Sequence, residues 1–217
     1  MKKWFDELAT AGFPDEFEAK RLLNSYGIAT PKGFRLYADD DLSRVQLDPP
    51  YALKVCTGNM LHKTEQNAVL LNLNDESLPG AVTDFRKRFS APALLIEEQI
   101  DFTGPEFIIG AIVDPDFGPA VMAGTGGIFT EIYKDVAFRL APCSAREALC
   151  MLQELTLAPV LNNFRGIHMD AQGLANLISK AGDLIFELGD AVYQLDINPL
   201  VFSGSDWIAL DAKIVLM

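Results

Sequence analysis

The sequence predicts an α+β fold, in which helices pack on antiparallel sheets. Segments with the composition of strands outnumber those with helical periodicity. Several consecutive strand-like segments are separated by turn sequences such as Asp114-Pro115-Asp116-Phe117-Gly118, which indicates hairpins. A doubly wound parallel sheet would instead need a crossover of roughly a dozen residues or more between paired strands.

The first predicted helix covers residues 15–26. Its apolar side chains recur at helical spacing and form one stripe: Ala19, Leu22, Leu23 and Tyr26. Gly27 follows where a C-terminal cap belongs, because glycine readily adopts the left-handed conformation that ends many helices. Further helices are predicted over 77–89, 144–155 and 173–188, the second with a Ser144–Glu147 capping box.

Strands are predicted over residues 34–37, 51–56, 69–73, 93–100, 107–113 and 119–123. Cys56 ends the second of these apolar segments and is expected to be a small core residue. A closing hairpin is predicted from Gln194 onwards and ends near Val215.

The segment Gln194–Asp211 carries oxygen ligands on two predicted strands. Asp196 and Asn198 lie two residues apart and therefore point to the same face of a strand. Pro199 fits an edge strand or a strand that leaves its sheet. A hairpin return would bring Asp211 across from Asn198, and such oxygen ligands suit a hard cation such as Mg²⁺. Spacing alone favours the simpler alternative, a turn followed by a solvated strand end.

The composition excludes several classes of protein. With 49% hydrophobic residues among 217, the chain is globular and not disordered. Its net charge of −12 argues against general binding to nucleic acid or to an anionic membrane, so an anionic ligand needs a local positive pocket. Three cysteines without a paired-thiol motif predict free thiols in a reducing compartment. Without an apolar run for a signal peptide or membrane span, a cytoplasmic location is expected.

Two cationic positions are candidates for phosphate binding. Lys54 lies inside the apolar segment 51–56. A buried lysine is costly unless it is paired or meets an anion, whereas a lysine on an edge strand blunts pairing, and the sequence leaves both interpretations open. The loop Gly124-Thr125-Gly126-Gly127 lets backbone N–H groups approach a phosphate, although glycine pairs are common in ordinary turns. Arg139 follows with a planar guanidinium.

Two further groups have both a functional and an ordinary interpretation. His62 lies beside a lysine on a polar loop and is a candidate phosphate acceptor, or else an exposed histidine without a role. Glu97-Glu98-Gln99 ends an apolar strand and is a candidate hinge whose backbone reads a purine edge. Glu106 follows shortly and is a candidate to bind a ribose hydroxyl. The alternative for this run is a solvated strand end.

Taken together, these segments resemble one family, the ATP-grasp subunit or domain of NDP-forming acyl-CoA synthetases. The resemblance is greatest to the β part of ADP-forming acetyl-CoA synthetase, and succinyl-CoA synthetase β is a more distant relative. It runs through EAKRLLNSYGI (18–28), ALKV, LHKT, VLLNL, DPDFGPAVMAGTGGIFTEIYKDVAFRLAP (114–142), FRG (164–166), DINPLV and ALDAKI (209–214). The long ordered match over 114–142 is its most specific part.

The resemblance implies an ATP-grasp fold with two α+β lobes and a nucleotide cleft between them. Residues 1–95 would form the N-terminal lobe, and 96–217 the C-terminal lobe with the metal site. It implies ATP or ADP and Mg²⁺ as cofactors. Asn198 and Asp211 are implied to bind the metal, with Asp196 close by, and Glu106 to bind the ribose. The residues implied to lie at the phosphates are Lys54, Gly126, Gly127 and Arg139. Those implied to meet adenine are Glu97, Glu98, Gln99 and Ile100.

The resemblance also implies an acid–thiol ligase that works only in a complex. His62 matches a mobile-loop histidine that relays a phosphoryl group between subunits in the ADP-forming acetyl-CoA branch. The chain has no dinucleotide-type fingerprint for coenzyme A, so it should be inactive alone. A CoA-binding α-type subunit is therefore expected as partner in a hetero-oligomer, with neither nucleic acid nor membrane as partners.

The chain departs from the family pattern around the histidine loop. The pattern HKSD-x-GGV is replaced by HKTEQNAV, so Asn67 and Ala68 stand for both glycines. Asparagine still adopts a left-handed conformation, whereas alanine does so at a cost, and its Cβ blocks close approach to a phosphate. Gln194 replaces a frequent glutamate near the metal. These departures motivate an alternative function, a catalytically impaired nucleotide-binding regulatory subunit.

Overall fold

The structure, a computed structural model, describes residues 14–58, 67–91, 93–127 and 134–217. By their contacts these residues form two units. Unit 1 comprises the described residues up to Glu18 and those of Pro31–Ile100, and unit 2 comprises Ala19–Thr30 and the described residues of Asp101–Met217. The division into lobes after residue 95 stays a prediction, and strand 93–98 lies wholly within unit 1.

The helices and strands predicted from the sequence are present, with ends that differ by one or two residues. The described helices are α1 (Glu16–Ser25), α2 (Leu78–Arg88), α3 (Ala145–Gln153) and α4 (Ala171–Leu188). The described strands are β1 (Gly33–Tyr37), β2 (Tyr51–Cys56), β3 (Val69–Leu73), β4 (Ala93–Glu98), β5 (Phe107–Asp114), β6 (Gly118–Thr125), β7 (Val136–Leu140), β8 (Val192–Ser203), β9 (Asp206–Ala209) and β10 (Ala212–Leu216). Among the described helices, none has the length and apolar character needed to cross a membrane.

In unit 1 the strands form one antiparallel sheet in the order β1-β4-β2-β3. Helix α2 places Leu78, Val82 and Phe85 in the core on one side of this sheet. Strand β2 lies between β4 and β3, and each of its residues is buried. The edge-strand interpretation of Lys54 is therefore wrong, because β2 is an interior strand.

The opposite face of the unit 1 sheet carries a smaller apolar cluster. Cys56, Ala93 and Leu95 are buried there, and Phe17 at the start of α1 packs against them. Burial raises the pKa of the Cys56 thiol to about 12, so this cysteine is an unreactive core residue, as the sequence predicts. The cysteines at 56, 143 and 150 are all free.

In unit 2 the strands form a second antiparallel sheet in the order β10-β8-β5-β6-β7, and β9 also pairs with β8. Helix α4 packs on β5 and β6, and α3 packs on α4 and β7. Helix α4 begins at Asp170, whose Oδ1 accepts the N–H of Gly173 at 2.8 Å. Every strand pair in the described residues is antiparallel, which confirms the α+β class.

Pro199 does not lie on an edge strand, and that prediction is wrong. Strand β8 is flanked by β5 on one side and by β9 and β10 on the other. Between the pairs Phe107↔Leu200 and Ile109↔Ile197, β8 has one residue more than β5. This β-bulge accommodates proline within an interior strand, because a bulge leaves one residue out of the hydrogen-bond ladder.

Candidate functional site

The candidate group in unit 1 is centred on the buried ammonium of Lys54. Its Nζ lies 2.7 Å from Oε1 of Glu16 and 2.9 Å from Oε2 of Glu97. The exposed fractions are 7% for Lys54, 3% for Glu16 and 2% for Glu97. A lysine that is this buried requires such partners, so the paired alternative drawn from the sequence is confirmed.

Strand register explains how Glu97 reaches Lys54. Lys54 of β2 lies opposite Leu95 of β4, and Glu97 is two residues further along the same face. Both side chains therefore project to the side of the sheet that holds Cys56 and Phe17. Glu16 neighbours Phe17 on the first turn of α1, which brings its carboxylate to the same place.

The predicted adenine-reading segment is occupied by contacts within unit 1. Glu97 binds Lys54, and Glu98 accepts from Lys32 at 3.2 Å. The backbone N–H groups of Glu98 and Gln99 donate to Lys32 O and Pro50 O at 3.0 and 2.8 Å. The Gln99 side chain exchanges two hydrogen bonds with Asn72, whereas Ile100 is half-buried. Contact between this segment and adenine stays a prediction.

In unit 2, the closing hairpin sets Asn198 opposite Asp211. Strand β8 pairs with β9 at Leu200↔Ala209 and with β10 at Ile197↔Ala212. The pairs before and after Asn198 have the same register. Continuing that register across Asn198 makes Asp211 its cross-strand neighbour, as the sequence predicts. Near this point the N–H of Leu210 donates to Pro199 O at 2.9 Å.

The glycine loop meets this hairpin directly. The N–H of Gly127 donates to Asn198 Oδ1 at 3.0 Å. Gly127 has a φ of +62°, and a Cβ there would lie 2.0 Å from Oε2 of Glu106. A Cβ on Gly126 would lie 2.4 Å from Phe107 O. Only glycine fits either position, and the structure thus brings Glu106, Gly126, Gly127 and Asn198 together.

Acidic side chains dominate the electrostatics of this part of unit 2. Burial raises the pKa of Asp196 to about 6; the negative charge of Asp211 adds to the rise and Lys213 opposes it. Burial also raises the pKa of the Glu106 carboxyl. The described residues contain no group of three or more His, Cys, Asp or Glu side chains placed to hold a metal. One amide oxygen and a pair of carboxylates nevertheless fit Mg²⁺, which is commonly bound through one or two carboxylates, substrate phosphates and water.

Arg139 lies elsewhere in unit 2. It is on β7 opposite Val121, whereas Gly126 and Gly127 lie beyond the other end of β6. Its guanidinium forms an ion pair with Glu154 and donates to the carbonyl of Phe138 at 2.7 Å. The structure therefore does not group Arg139 with the glycine loop, and its role at a phosphate stays a prediction.

The histidine loop is only partly described. His62 lies outside the described residues. At the end of the loop, Asn67 is left-handed with a φ of 51°, as expected, whereas Ala68 is not left-handed. Ala68 is fully buried in the unit 1 core, and its carbonyl accepts the N–H of Val55 at 3.0 Å. The cost expected for a left-handed alanine therefore does not arise at Ala68, because its φ is not positive.

Sequence reasoning missed two buried charges on α1. Glu16 binds Lys54 in unit 1, and Lys20, only 3% exposed, donates to Leu210 O at 2.7 Å in unit 2. With Ala19 and Leu23 these residues follow the spacing i, i+3, i+4 and i+7. The sequence signal that could have identified them is the position of Glu16 and Lys20 within the buried stripe of the helix, where charged side chains need partners.

A family model of the ATP-grasp domain matches residues 9–216. The chain belongs to the ATP-grasp family. It is 34% identical over 213 residues to the β subunit of ADP-forming acetate–CoA ligase I of Pyrococcus furiosus, and the match covers 93% of this chain and 90% of that subunit. The β subunit of ligase II of the same organism is 31% identical over 214 residues, with the same coverage.

A solved structure of the family has the same fold. The dinucleotide-forming acetyl-coenzyme A synthetase 1 of Ca. Korarchaeum cryptofilum, in complex with coenzyme A, Ca-AMPCP and HgCl⁺, matches with a TM-score of 0.89 at 28% identity, covering 100% of this chain and 99% of that chain. Another structure of that synthetase holds a phosphorylated phosphohistidine segment and has a TM-score of 0.84. These matches confirm the ATP-grasp fold and the homology to β subunits of ADP-forming acetyl-CoA synthetases.

Proposed function

We propose that this chain is the nucleotide-binding subunit of an NDP-forming acyl-CoA synthetase. The observation that carries the proposal is the match to the Pyrococcus furiosus β subunits, which extends over nearly the whole of both chains. The hairpin that sets Asn198 opposite Asp211 supports it, because it supplies oxygen ligands beside a glycine loop.

An α-type partner completes the proposal. The P. furiosus relatives are β subunits, whereas the match to ADP-forming acetate–CoA ligase I of Archaeoglobus fulgidus covers 30% of a longer chain. Coenzyme A and the acyl group would bind on the partner, in a hetero-oligomer. The chain alone would bind nucleotide but form no ATP.

Residues of each unit have separate roles in the proposed function. In unit 1, Lys54 would contact the phosphates. In unit 2, Asn198 and Asp211 would hold Mg²⁺, and Glu106 would accept from the ribose. The glycine loop would lie near the phosphates, although the N–H groups of Thr125, Gly126 and Gly127 already donate to Asp135 O, Glu106 O and Asn198 Oδ1. Bound Mg²⁺ supplies positive charge that offsets the charge developing on the transferring phosphoryl group.

The imidazole of His62 would carry the phosphoryl group. In the direction of ATP formation, a ring nitrogen attacks the phosphorus that the partner delivers, and a P–N bond forms as the bond to the donor breaks. A terminal oxygen of ADP then attacks this phosphorus. The P–N bond breaks, its electron pair returns to the imidazole, and ATP leaves.

The backbone conformations of Asn67 and Ala68, at the end of the histidine loop, support an active subunit over an impaired regulatory one. The regulatory alternative is motivated by the loss of two glycines, at Asn67 and Ala68. Asn67 has a left-handed conformation, and the side chain of Ala68 is buried in the unit 1 core. Neither replacement therefore requires strain at this end of the loop.

The test is ATP formation in a reconstituted complex. The chain is mixed with an α-type partner, acyl-CoA, phosphate, ADP and Mg²⁺, and ATP is measured for several acyl groups. We expect ATP only when both chains are present, and none with His62→Asn, whose ADP affinity is unchanged. Failure to form ATP with every acyl group, combined with ADP binding but no phosphorylation of His62, would instead establish the regulatory alternative.

A further inference from the structure

We propose that Glu16 is a positioning residue, which holds the ammonium of Lys54 where it meets the phosphates of the nucleotide. The inference rests on the proposed function, because it assumes that Lys54 contacts phosphate. Glu16 acts through Lys54 and touches no ligand itself. All of the contacts that carry the inference lie within unit 1.

Two carboxylates on different elements determine where the ammonium lies. Glu16 belongs to α1 and Glu97 to β4, and their oxygens lie 2.7 and 2.9 Å from Nζ of Lys54. A lysine side chain has four rotatable bonds and loses much conformational freedom when it is ordered. Two acceptors that order it in advance remove this cost from ligand binding.

The surroundings make a purely structural role a poor explanation. The neighbouring core residues on this face are apolar: Cys56, Ala93, Leu95 and Phe17. Burying charges among such residues carries a desolvation penalty, and apolar replacements of similar volume are often at least as stable. One cation and two carboxylates also leave this group with a formal charge of −1. Paired charges that are buried at such a cost are common at functional sites.

Two substitutions of Glu16 separate the effect of the position of its oxygen from the effect of its negative charge. Glu16→Asp keeps the charge but withdraws the carboxylate by one methylene, so Lys54 loses an acceptor at its present position. Glu16→Gln removes the charge but keeps an oxygen at the same reach. Calorimetry with ADP and Mg²⁺ should show an affinity about tenfold weaker for Glu16→Asp, equivalent to about 1.4 kcal/mol, and within about threefold of wild type for Glu16→Gln.

Adenosine and a matched variant provide the controls. Adenosine has no phosphates, so its Kd should change by less than about twofold in Glu16→Asp. Glu18→Asp makes the same change on the same helix, but Glu18 binds Arg35 at 2.9 Å, and the ADP affinity should be unchanged. Thermal unfolding confirms that each variant is folded.

The outcomes distinguish this inference from the proposed function. An unchanged ADP affinity in folded Glu16→Asp overturns the inference while ADP binding itself stands. An equal loss of adenosine and ADP affinity also overturns it, because the substitution then weakens nucleoside binding as a whole and not the contact with the phosphates. A loss in Glu16→Gln as large as in Glu16→Asp overturns it as well, because the ADP affinity then does not follow whether an oxygen acceptor remains at its present reach. Wild-type protein that binds no ADP overturns the proposed function.

Discussion

At the scale of single residues, the candidate site depends on positions where another residue would be strained. Gly127 shows this most clearly, because it combines a φ of +62° with the close approach of the Glu106 carboxylate. Its N–H also donates to Asn198. One backbone position thus links an acidic side chain, the glycine loop and a candidate metal ligand.

We expect Gly127→Ala to weaken binding of ADP with Mg²⁺ by at least about tenfold. The added Cβ would lie 2.0 Å from Glu106 Oε2, so the loop or the carboxylate must move. Calorimetry measures the affinity, and urea unfolding measures stability. Gly118→Ala is the matched control, because Gly118 has a φ of +78° and open space around a Cβ. That variant should lose about 1 kcal/mol of stability and no affinity. Equal effects of both variants on affinity would contradict this account.

The partners of Lys54 show where prediction from residues ends. The sequence identified Lys54 as a charge within an apolar strand, and a hairpin return offered Asp211 as the cross-strand neighbour of Asn198, although spacing alone favoured a turn. It did not identify Glu16 as a partner, because that contact spans 38 positions. Such a pairing depends on how a helix packs against a sheet, which local periodicity does not encode.

At the scale of elements, periodicity and turn residues predicted almost every helix and strand. The capping box at Ser144 and Glu147 is present, and Gly27 is left-handed at +70° after α1. The error at Pro199 has a clear cause. Proline excludes a regular interior strand, but it does not exclude a bulge, and strand order is set by tertiary pairing.

Asp135, just before β7, is hydrogen-bonded to the segment that follows α3. Its carboxylate accepts N–H groups from Thr156 at 2.8 Å and Leu157 at 3.0 Å, and the hydroxyl of Thr125 at 3.2 Å. Burial acts to raise its pKa, but these hydrogen bonds together outweigh burial, and the pKa is lowered. The stability that comes from this carboxylate is therefore present above its unfolded pKa and is lost as pH falls through the lower folded value.

Asp135→Asn should reduce the free energy of unfolding at pH 7 by about 1–3 kcal/mol, because the amide oxygen is a weaker acceptor than a carboxylate and the amide NH2 group cannot accept a hydrogen bond at all. Urea unfolding at pH 7 and at several values down to about pH 3 tests this. The difference from wild type should shrink as the wild-type carboxyl is protonated. A difference that stays constant across this range would contradict the assigned role of the charge.

At the scale of the whole molecule, the net charge of −12 makes a local cation necessary for an anionic ligand. Lys54 is a buried cation, but with Glu16 and Glu97 its group has a formal charge of −1 and does not by itself form a positive pocket. In unit 2 the carboxylates of Asp196 and Asp211 repel each other, which a divalent cation would relieve. We therefore expect nucleotide affinity to depend strongly on Mg²⁺.

The resemblance to a family supplied what residue patterns alone did not. Composition and periodicity predicted an α+β protein, whereas spacing alone favoured a simple turn at Asn198. The ordered motifs between 114 and 142 identified the ATP-grasp fold, which the comparison with known proteins confirmed. Physical reasoning then explains why Gly126, Gly127 and Asn198 occupy their positions.

The most direct test of the central claim is the Mg²⁺ dependence of ADP binding in variants of the hairpin. Calorimetry compares wild type, Asn198→Ala and Asp211→Asn with and without Mg²⁺. Asp206→Asn, an exposed carboxylate at the turn of the same hairpin, is the control. We predict that Mg²⁺ strengthens ADP binding at least about tenfold in wild type and in the control, and less than about twofold in the two site variants. An undiminished Mg²⁺ effect in Asn198→Ala and Asp211→Asn would contradict the metal site and the nucleotide assignment built on it.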